Sequence, residues 1–328
     1  MKTFLGVDGG GSKTRFLLID EHGKVLGTDS AGSAYHLEIG FEALEAMLAH
    51  GIANTLQQAG MTPAELSFTF LGLPAYGEDR SLQARLDTAP AAALPGGRYR
   101  CGNDMVCGWA GALAGSHGIN IVAGTGSIAY GEYGGRSARA GGWGELFSDE
   151  GSAHWLAREG LRLFARMSDG RSPRGPLHGI LRRHFSLEYD LDLCAAIYGK
   201  STAQRSQLAQ LSRLVAEAAS AGDPAARALF TQAVTELADI VDAVRDQLQV
   251  PAELELPLSY SGGLFQLREL LLQPFVAALA ARARRYQLSA ARLPPDGGAA
   301  LHAARLAGAP LSARSIAALE AQLASRGD

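Results

Sequence analysis

The sequence predicts an α/β fold of two domains that face each other across a cleft. Its 328 residues are long enough for two domains, and 47% hydrophobic residues supply a core for each. A strand meander at the N-terminus, LGVDGGGSKTRFLLIDEHGKVLG, has a second copy, INIVAGTGSIAYGEYGGRSARAGG, that begins near residue 119. Each copy has a glycine turn after its first strand, and helical segments follow. Such internal repetition indicates two related domains.

Hydrophobic periodicity predicts the elements of the first domain, residues 1–117. Short apolar runs rich in Val, Leu, Phe and Ile predict strands, and apolar positions at helical spacing predict helices. In chain order, the predicted elements are strands at 3–8, 14–20 and over VLGTDS, a helix over 41–59, a strand over LSFTFLGLP, a short helix near 79–88, a strand at 98–102 and a helix over 105–115.

The second domain is predicted to cover residues 118–328. After its meander, the pattern predicts helices near 152–168, 203–221 and 224–249, then a strand, turn and helix over ELELPLSYSGGLFQLREL. Asp223 and Pro224 suit the N-cap and the first position of the helix that they open. A last amphipathic helix over 312–325 is expected to fold back onto the first domain.

Composition excludes several classes of function. The formal net charge of −3 and the pI near 6.3 give no general attraction to nucleic acid or to an anionic membrane. Three cysteines, Cys101, Cys107 and Cys194, lack the paired spacing of a zinc site or a disulfide framework. No basic and apolar leader is seen, and no apolar run reaches the roughly 18 residues of a membrane span. We therefore expect a cytoplasmic protein.

Two glycine turns are candidate phosphate-binding loops. Bare glycine backbone lets N–H groups approach an anion closely, and Asp8 at the end of the first strand can hold a hydrated Mg²⁺ beside a phosphate. The alternative is a flexible surface hairpin. Neither the Walker A spacing nor a Rossmann glycine turn is present. The predicted phosphate contacts are Gly9, Gly10, Gly11, Ser12, Lys13 and Thr14 in the first turn and Gly124, Thr125, Gly126 and Ser127 in the second.

Asp104 stands where a predicted strand meets a helix. The functional interpretation is a general base that accepts a proton from an attacking hydroxyl, with Asn103 orienting the acceptor. The structural alternative is a helix N-cap.

The segment GGWGELFSDEGS predicts a polyol pocket, formed by Gly142, Trp143, Gly144 and Asp149. An aromatic ring beside paired glycines flanks a sugar ring, and carboxylates accept its hydroxyl protons. In the alternative, Asp149 or Ser148 caps the next helix.

Two further features are weaker. Gly262 and Gly263, in SYSGGLF, form a third glycine turn, where a purine can stack on bare backbone; a simple strand-to-helix turn is the alternative. His36 is the one histidine near a proposed pocket and is a candidate sugar contact.

The motifs GVDGGGSKT, ND before a small-residue helix, AGTGS, GGWGELFSDEGSAHWLARE and YSGGL resemble, in this order, the N-acetylglucosamine kinase family. That family belongs to the BadF/BadG-type branch of the sugar kinase, Hsp70 and actin superfamily. The resemblance implies two ribonuclease-H-like, actin-like ATPase domains that close over ATP·Mg²⁺ and an amino sugar, with phosphate passing to the 6-hydroxyl. It implies Asp104 as the base, Asp8 near the metal, the glycine turns at the nucleotide, and a homodimer.

The sequence departs from the family at two positions. Tyr35 stands where family members usually place an asparagine that contacts sugar hydroxyls, and Tyr76 replaces smaller residues. Glucosamine therefore remains an alternative substrate to N-acetylglucosamine. Two different classes of function also remain open. One is an ATPase activator with an iron–sulfur cluster held by cysteines of two subunits, and the second is a regulatory ATP-binding module without a sugar substrate.

Overall fold

The computed structural model describes residues 1–199 and 204–325. It divides into two compact units, Met1–His117 with Ala290–Asp328, and Gly118–Ser289. The strands are β1 (Thr3–Gly9), β2 (Thr14–Asp20), β3 (Val25–Ala31), β4 (Phe68–Leu73), β5 (Tyr99–Asn103), β6 (Gly118–Ala123), β7 (Ser127–Tyr133), β8 (Arg136–Gly141), β9 (Leu256–Ser261) and β10 (Tyr286–Ala290).

Helices surround both sheets, which confirms the predicted α/β class. The α-helices are α1 (His36–Ile39), α2 (Phe41–Gln58), α3 (Gln83–Thr88), α4 (Met105–Ala112), α5 (Ala153–Ser168), α6 (Pro176–Phe185), α7 (Leu193–Tyr198), α8 (Arg205–Ala209), α9 (Ser212–Ser220), α10 (Pro224–Leu248), α11 (Gln273–Ala280), α12 (Pro295–Leu306) and α13 (Ala313–Ala324). Within residues 1–199 and 204–325, none of them combines the length and apolar composition that a membrane span requires.

The two sheets have the same strand order. The first runs β3-β2-β1-β4-β5 and the second, read from its other edge, β8-β7-β6-β9-β10. In each, three strands form an antiparallel meander and the next strand joins parallel to the first of them. The repeat seen in the sequence is therefore a repeat of topology, with a glycine turn after the first strand of each meander.

Both faces of the first sheet are buried, because apolar residues fill alternate and intervening positions of β1 and β2. One face packs on α2 and the other on α12 and α13. The long helix α10 covers β7 and β8 of the second sheet. Its N-cap is Asp223, whose carboxylate accepts from the amides of Ala225 and Ala226, as the sequence predicts.

Several predicted elements differ from the structure. The helix predicted over 203–221 is two helices, α8 and α9, and residue 203 lies outside the described residues. The sequence patterns did not predict α6, α7, α12 or β10. Strand β10 is a half-exposed edge strand with few apolar residues, so period-two patterning is weak there.

The second domain was predicted to include residues 290–311, but this segment belongs to the first unit. The reason is α12, which packs against β1 and α4. Gly6 and Gly298 permit this approach: a Cβ on Gly6 would lie 2.2 Å from the Ala300 nitrogen, and a Cβ on Gly298 would lie 2.1 Å from the Cys107 carbonyl oxygen. The following helix α13 lies beside β3, where the Gln322 side chain bonds Val25 and Gly23.

Candidate active site

The first glycine turn connects β1 to β2 and exposes its tip. The amide of Gly10 donates to the carbonyl of Lys13 at 3.0 Å, which closes the turn, while Gly11, Ser12 and Lys13 are exposed. Thr14 is fully buried, and its hydroxyl donates to the Gly32 carbonyl at 2.8 Å. The tip therefore exposes its backbone and the polar side chains of Ser12 and Lys13 to solvent. The buried Thr14 fixes the end of the turn to the Gly32 carbonyl.

Asp8 lies on β1 immediately before this turn, in a strongly negative environment. It pairs with Arg15 across the β1–β2 ladder and with Gly72 across β1–β4. Burial, followed by the negative charges of Asp104 and Asp296, raises the pKa of Asp8 to about 7, and the positive charge of Arg15 opposes this. A divalent cation suits such a carboxylate, because it would compensate charge that the fold has buried.

Asp104 approaches Asp8 because Gly72 has no side chain. A Cβ on Gly72 would lie 3.0 Å from the Asp104 Cα and 2.3 Å from the Cys107 sulfur. Asp104 occupies the N-cap position of α4, but its side chain makes no capping hydrogen bond. The Asn103 amide oxygen instead accepts from the Met105 N–H at 3.1 Å. The N-cap alternative therefore fails for the Asp104 carboxylate.

Asn103 is buried, and both the oxygen and the nitrogen of its side-chain amide form hydrogen bonds. Besides the bond to Met105, its Nδ2 donates to the Tyr76 carbonyl at 3.1 Å. The Tyr76 hydroxyl in turn donates to Asp87 at 2.8 Å. Burial and this hydrogen bond raise the pKa of Tyr76 to about 12. These bonds fix the loop between β4 and α3 to the end of β5.

His36 begins α1 and is 5% exposed. Its ring contacts Tyr35 edge-on and Phe41 in a tilted arrangement. Burial lowers the pKa of His36 below its usual range, so the neutral ring predominates at neutral pH. Its Nδ1 has no hydrogen-bond partner among the described residues. His36 belongs to the first unit, as Asp8 and Asp104 do.

The second glycine turn is docked on the N-terminus of α5. The amides of Ala153 and His154 donate to the carbonyls of Gly124 and Thr125 at 2.9 and 3.2 Å. Ser152 is the N-cap of α5, with its hydroxyl accepting from the Trp155 amide, so neither Asp149 nor Ser148 caps this helix. The two amides at the start of α5 therefore hold the Gly124 and Thr125 carbonyls in place.

The backbone conformation of the segment from Gly141 to Gly151 accounts for its glycines. Gly141, Gly142, Gly144 and Gly151 all have positive φ. Asp149 also has a positive φ, of 62°, although it has a side chain and is 1% exposed. Such backbone is strained for a non-glycine residue and persists where surrounding contacts hold it.

The side chains of this segment face different environments. Trp143 is 69% exposed, and the Arg139 guanidinium lies 5.8 Å from its ring centroid. The Asp149 carboxylate points inward to the second glycine turn, where the Ser127 amide donates to it at 3.4 Å. Five residues, Gly144 to Ser148, separate the exposed ring from the buried carboxylate along the loop.

Arg205, at the start of α8, was not identified from the sequence. Its guanidinium donates to the Asp149 Oδ2 at 2.6 Å, and its Nε lies 3.4 Å from the Glu145 Oε2. A Cβ on Gly126 would lie 2.4 Å from this guanidinium, so the ion pair rests on the bare backbone of the second turn. An isolated arginine in a polar helix carries no sequence signal, since its partner lies 56 residues away.

Asp296 was likewise missed. It stands at the start of α12, is 9% exposed and contributes negative charge at Asp8. The only signal in the sequence is an aspartate next to a proline at a helix start, which is a common surface pattern.

The third glycine turn borders a cavity of about 390 Å³ in the second unit. Gly262 has a φ of 100°, and a Cβ there would lie 2.3 Å from the Ala123 carbonyl oxygen, so only glycine fits. Gly263 faces open space. The cavity is lined by Tyr260, Ser261, Gly262, Phe265, Gln266, Arg268 and Leu272. An apolar wall with a few polar groups suits a heterocyclic base.

Comparison with known proteins places this chain in a family. The model of the BadF/BadG/BcrA/BcrD ATPase family matches residues 5–303. The chain belongs to that family. This confirms the branch that the sequence motifs indicate, and members of it are ATPases by the family's description.

Three curated relatives of similar length cover most of this chain. An N-acetyl-D-glucosamine kinase of Dictyostelium discoideum is 29% identical over 79% of this chain and 84% of its own length. An N-acetylmuramic acid/N-acetylglucosamine kinase of Clostridium acetobutylicum is 30% identical over 80% and 85%. A glucosamine kinase of Vibrio cholerae is 28% identical over 72% and 78%.

A solved structure from Chromobacterium violaceum that carries a provisional N-acetylglucosamine kinase assignment shares the fold. It superposes with a TM-score of 0.67 at 28% identity, covering 92% of this chain and 98% of its own. A glucokinase of Streptomyces griseus, at 18% identity and a TM-score of 0.52, shares the fold alone. The predicted actin-like ATPase architecture is therefore confirmed.

Proposed function

We propose that this protein is an ATP-dependent kinase that transfers a phosphoryl group to the 6-hydroxyl of an amino sugar, with N-acetylglucosamine as the first candidate. The observation that carries the proposal is the proximity of the Asp104 and Asp8 carboxyl groups beside the exposed turn, in a chain of this ATPase family. Three curated relatives that act on amino sugars by their names support the substrate class.

The residues of the first unit divide the chemistry between them. Asp104 accepts the proton of the attacking sugar hydroxyl. Its carboxylate is not needed as a helix cap, because Asn103 accepts the hydrogen bond from the Met105 amide at the start of α4. The turn from Gly9 to Lys13 supplies backbone N–H groups to phosphate oxygens. Phosphoryl transfer needs positioning and charge compensation more than covalent chemistry, and these groups supply both.

The residues also fit ATP and Mg²⁺. Bound Mg²⁺ neutralises phosphate charge and is typically held by one or two carboxylates, with waters and phosphate oxygens as its other ligands. Asp8 suits this role. Within residues 1–199 and 204–325, no group of three or more His, Cys, Asp or Glu side chains forms an all-protein metal site. The second glycine turn and the cavity at Gly262 supply contacts for phosphate and adenine.

The direct test is ATP-dependent phosphorylation by the purified protein with Mg²⁺. We expect phosphorylation of N-acetylglucosamine, and kcat/KM is to be compared with glucosamine, N-acetylmuramic acid and glucose. Preference for glucosamine would keep the kinase and change its substrate, whereas turnover of no sugar would contradict the proposal.

Asp104→Asn tests the base. We expect kcat to fall by about 10²–10⁴-fold, because the hydroxyl loses its proton acceptor, while the Kd for ATP stays close to that of the native protein. Calorimetric titration with an ATP analogue measures the second quantity. Asp29→Asn, on the edge strand β3, is the matched control and leaves kcat unchanged. Retention of a substantial part of kcat in Asp104→Asn would remove Asp104 from this role.

The iron–sulfur activator hypothesis fits the cysteines poorly. Cys101 and Cys107 are buried, and only Cys194 of the three is exposed. Burial raises the pKa of the Cys101 thiol to about 12 and that of Cys107 well above its usual range, so both disfavour the thiolate that binds iron. A regulatory ATP-binding module would leave the motif GGWGELFSDEGS, with its exposed Trp143, without a ligand. A cytoplasmic homodimer completes the proposal, and the oligomeric state is testable by light scattering.

A further inference from the structure

A cavity of about 700 Å³ in the first unit shows at which end of the sheet α12 begins. Asp296, in the first turn of α12, lines this cavity together with Lys13 of the first glycine turn. Arg15, which also lines it, is the cross-strand partner of Asp8. Helix α12 therefore starts at the end of the sheet where β1 reaches Asp8 and the glycine turn follows.

The contact of α12 with Gly6 fixes how close Asp296 comes to Asp8. Gly6 and Asp8 lie on the same face of β1, because side chains two residues apart in a strand share a face. A Cβ on Gly6 would lie 2.2 Å from the Ala300 nitrogen, so the helix touches the strand at this point. Asp8 lies about 6–7 Å further along β1, and Asp296 lies about 6 Å back along α12. The two acids thus reach the same edge of this face.

Asp8 has an acid on each side. Asp104 approaches it from β4, past the bare backbone of Gly72, whereas Asp296 approaches from β2, beside Arg15. The negative charges of both acids act on Asp8, and they act on the buried thiol of Cys107 as well. The first unit therefore brings three carboxyl groups together from three remote segments.

More negative than positive charge acts on Asp8. Asp296 is 9% exposed, and Arg15 supplies the positive charge that opposes the two acids. A carboxylate in the first turn of α12 favours the helix start, but an exposed one would do so without repelling Asp8. A divalent cation would compensate two of these charges, and carboxylate oxygens are ligands that Mg²⁺ accepts.

We propose that Asp296 is the second carboxylate of the Mg²⁺ site, acting together with Asp8 on the cation that accompanies ATP. The inference rests on the ATP use in the proposed function. Mg²⁺ at a nucleotide is typically held by one or two carboxylates, with waters and phosphate oxygens as its other ligands. The position of Asp296, beside Asp8 and next to the turn that contains Lys13, suits the second of these carboxylates. Asp104, on the β4 side, stays available to the sugar hydroxyl.

Calorimetric titration with a non-hydrolysable ATP analogue tests the proposal without a sugar and without turnover. The Kd of the analogue is measured in Mg²⁺ and in EDTA, and the ratio of the EDTA value to the Mg²⁺ value reports the contribution of the cation. We expect a native ratio well above one. In Asp296→Asn the ratio should fall about tenfold, as it does when a group that supports a metal site is removed. The Kd in EDTA should not weaken, because no negative charge is added near the phosphates.

Asp29→Asn is the matched control. Asp29 also borders the cavity, but its carboxylate accepts from the Asn54 side chain of α2 at 3.1 Å, so it is committed to the other side of the sheet. Its ratio should stay at the native value. Asp296→Ser, a smaller neutral substitution, should lower the ratio as Asp296→Asn does. Denaturant unfolding of each variant shows whether the fold is kept.

An unchanged ratio in Asp296→Asn, with a lower free energy of unfolding, would overturn the proposal and assign Asp296 to the start of α12. A native ratio near one would also overturn it. Failure of the proposed function is a different result: the native protein would show the expected ratios but phosphorylate no sugar. If the native protein does not bind the analogue, both the proposed function and this inference fail.

Discussion

Folding places the Asp8 carboxyl group in surroundings that disfavour its ionised form. It is buried at the end of β1, where Asp104 and Asp296 add negative charge and Arg15 opposes them. In a protein without bound cation, the folded state therefore holds a proton on Asp8 at pH values where the unfolded chain has lost it. Binding residues often carry such an energetic cost, which a ligand later relieves.

Asp8→Asn tests this cost in the metal-free protein. The pKa of Asp8 is raised from 3.8 to about 7 on folding, so the folded state binds more protons between these values and stability falls as pH rises through that window. The variant lacks this loss. We expect its free energy of unfolding to exceed the native value above about pH 7 by up to about 4 kcal/mol, and the gain to vanish toward about pH 4.

Denaturant unfolding in EDTA across this pH range is the measurement. Asp29→Asn serves as the control, because it makes the same chemical change on the edge strand β3, and its effect should not follow this pH course. A change in the stability of Asp8→Asn that is independent of pH would show that packing or hydrogen bonding, not ionisation, controls the position.

At the scale of elements, the contact of α12 with β1 and α4 determines where the N-terminal unit ends. Gly298 lies on the side of α12 that faces α4, where a built Cβ would meet the Cys107 carbonyl and the Gly111 amide. Gly297, its neighbour, faces α13 instead, where the nearest group is the flexible end of the Leu323 side chain, 2.9 Å from a built Cβ. The two glycines therefore differ in what a methyl group would meet.

Gly298→Ala and Gly297→Ala are a matched pair in one helix. Both gain helix propensity, but the Gly298 methyl would lie 2.1 Å from backbone that cannot move alone. We expect Gly298→Ala to lower the free energy of unfolding by at least about 1–3 kcal/mol, as overpacking does, and Gly297→Ala to change it much less. Denaturant unfolding measures both. Equal effects would mean that α12 shifts freely over α4.

At the scale of the whole molecule, the first unit is assembled from both ends of the chain. One face of its sheet is covered by α12 and α13, which bury Phe4, Leu17 and Ile19. The second unit, Gly118–Ser289, is continuous in sequence. The N-terminal sheet therefore completes its core only after the last helices have been made.

Truncation at Ala291 tests this dependence. The shortened chain keeps β10 but loses α12 and α13, and each fully buried apolar side chain that is uncovered forfeits roughly 1.5–3 kcal/mol. We expect the amides of β1 to lose their protection from hydrogen exchange while those of β6 keep it. A chain that ends at Ala309, without α13 only, is the control and should keep β1 protected. Protected β1 amides in the shorter chain would contradict the dependence.

Local pattern predicted a large part of this protein correctly. The two meanders, the helix α10 with its Asp223 cap, and the family motifs are written in neighbouring residues, because strand alternation, helix periodicity and glycine turns are properties of short segments. The predicted site residues Asp8, Asp104 and His36 fall in one unit, and Gly126, Asp149 and Gly262 in the other.

Tertiary structure alone decided the rest. Asp296 and Arg205 act at positions to which no sequence spacing connects them, since their partners lie on elements hundreds or tens of residues away. The exchange of the capping role between Asp104 and Asn103, and between Asp149 and Ser152, depends on which side chain reaches the helix amides. Burial likewise set the pKa of Asp8. A sequence determines which groups are available, but distance and desolvation between remote segments determine what charge and contacts those groups have.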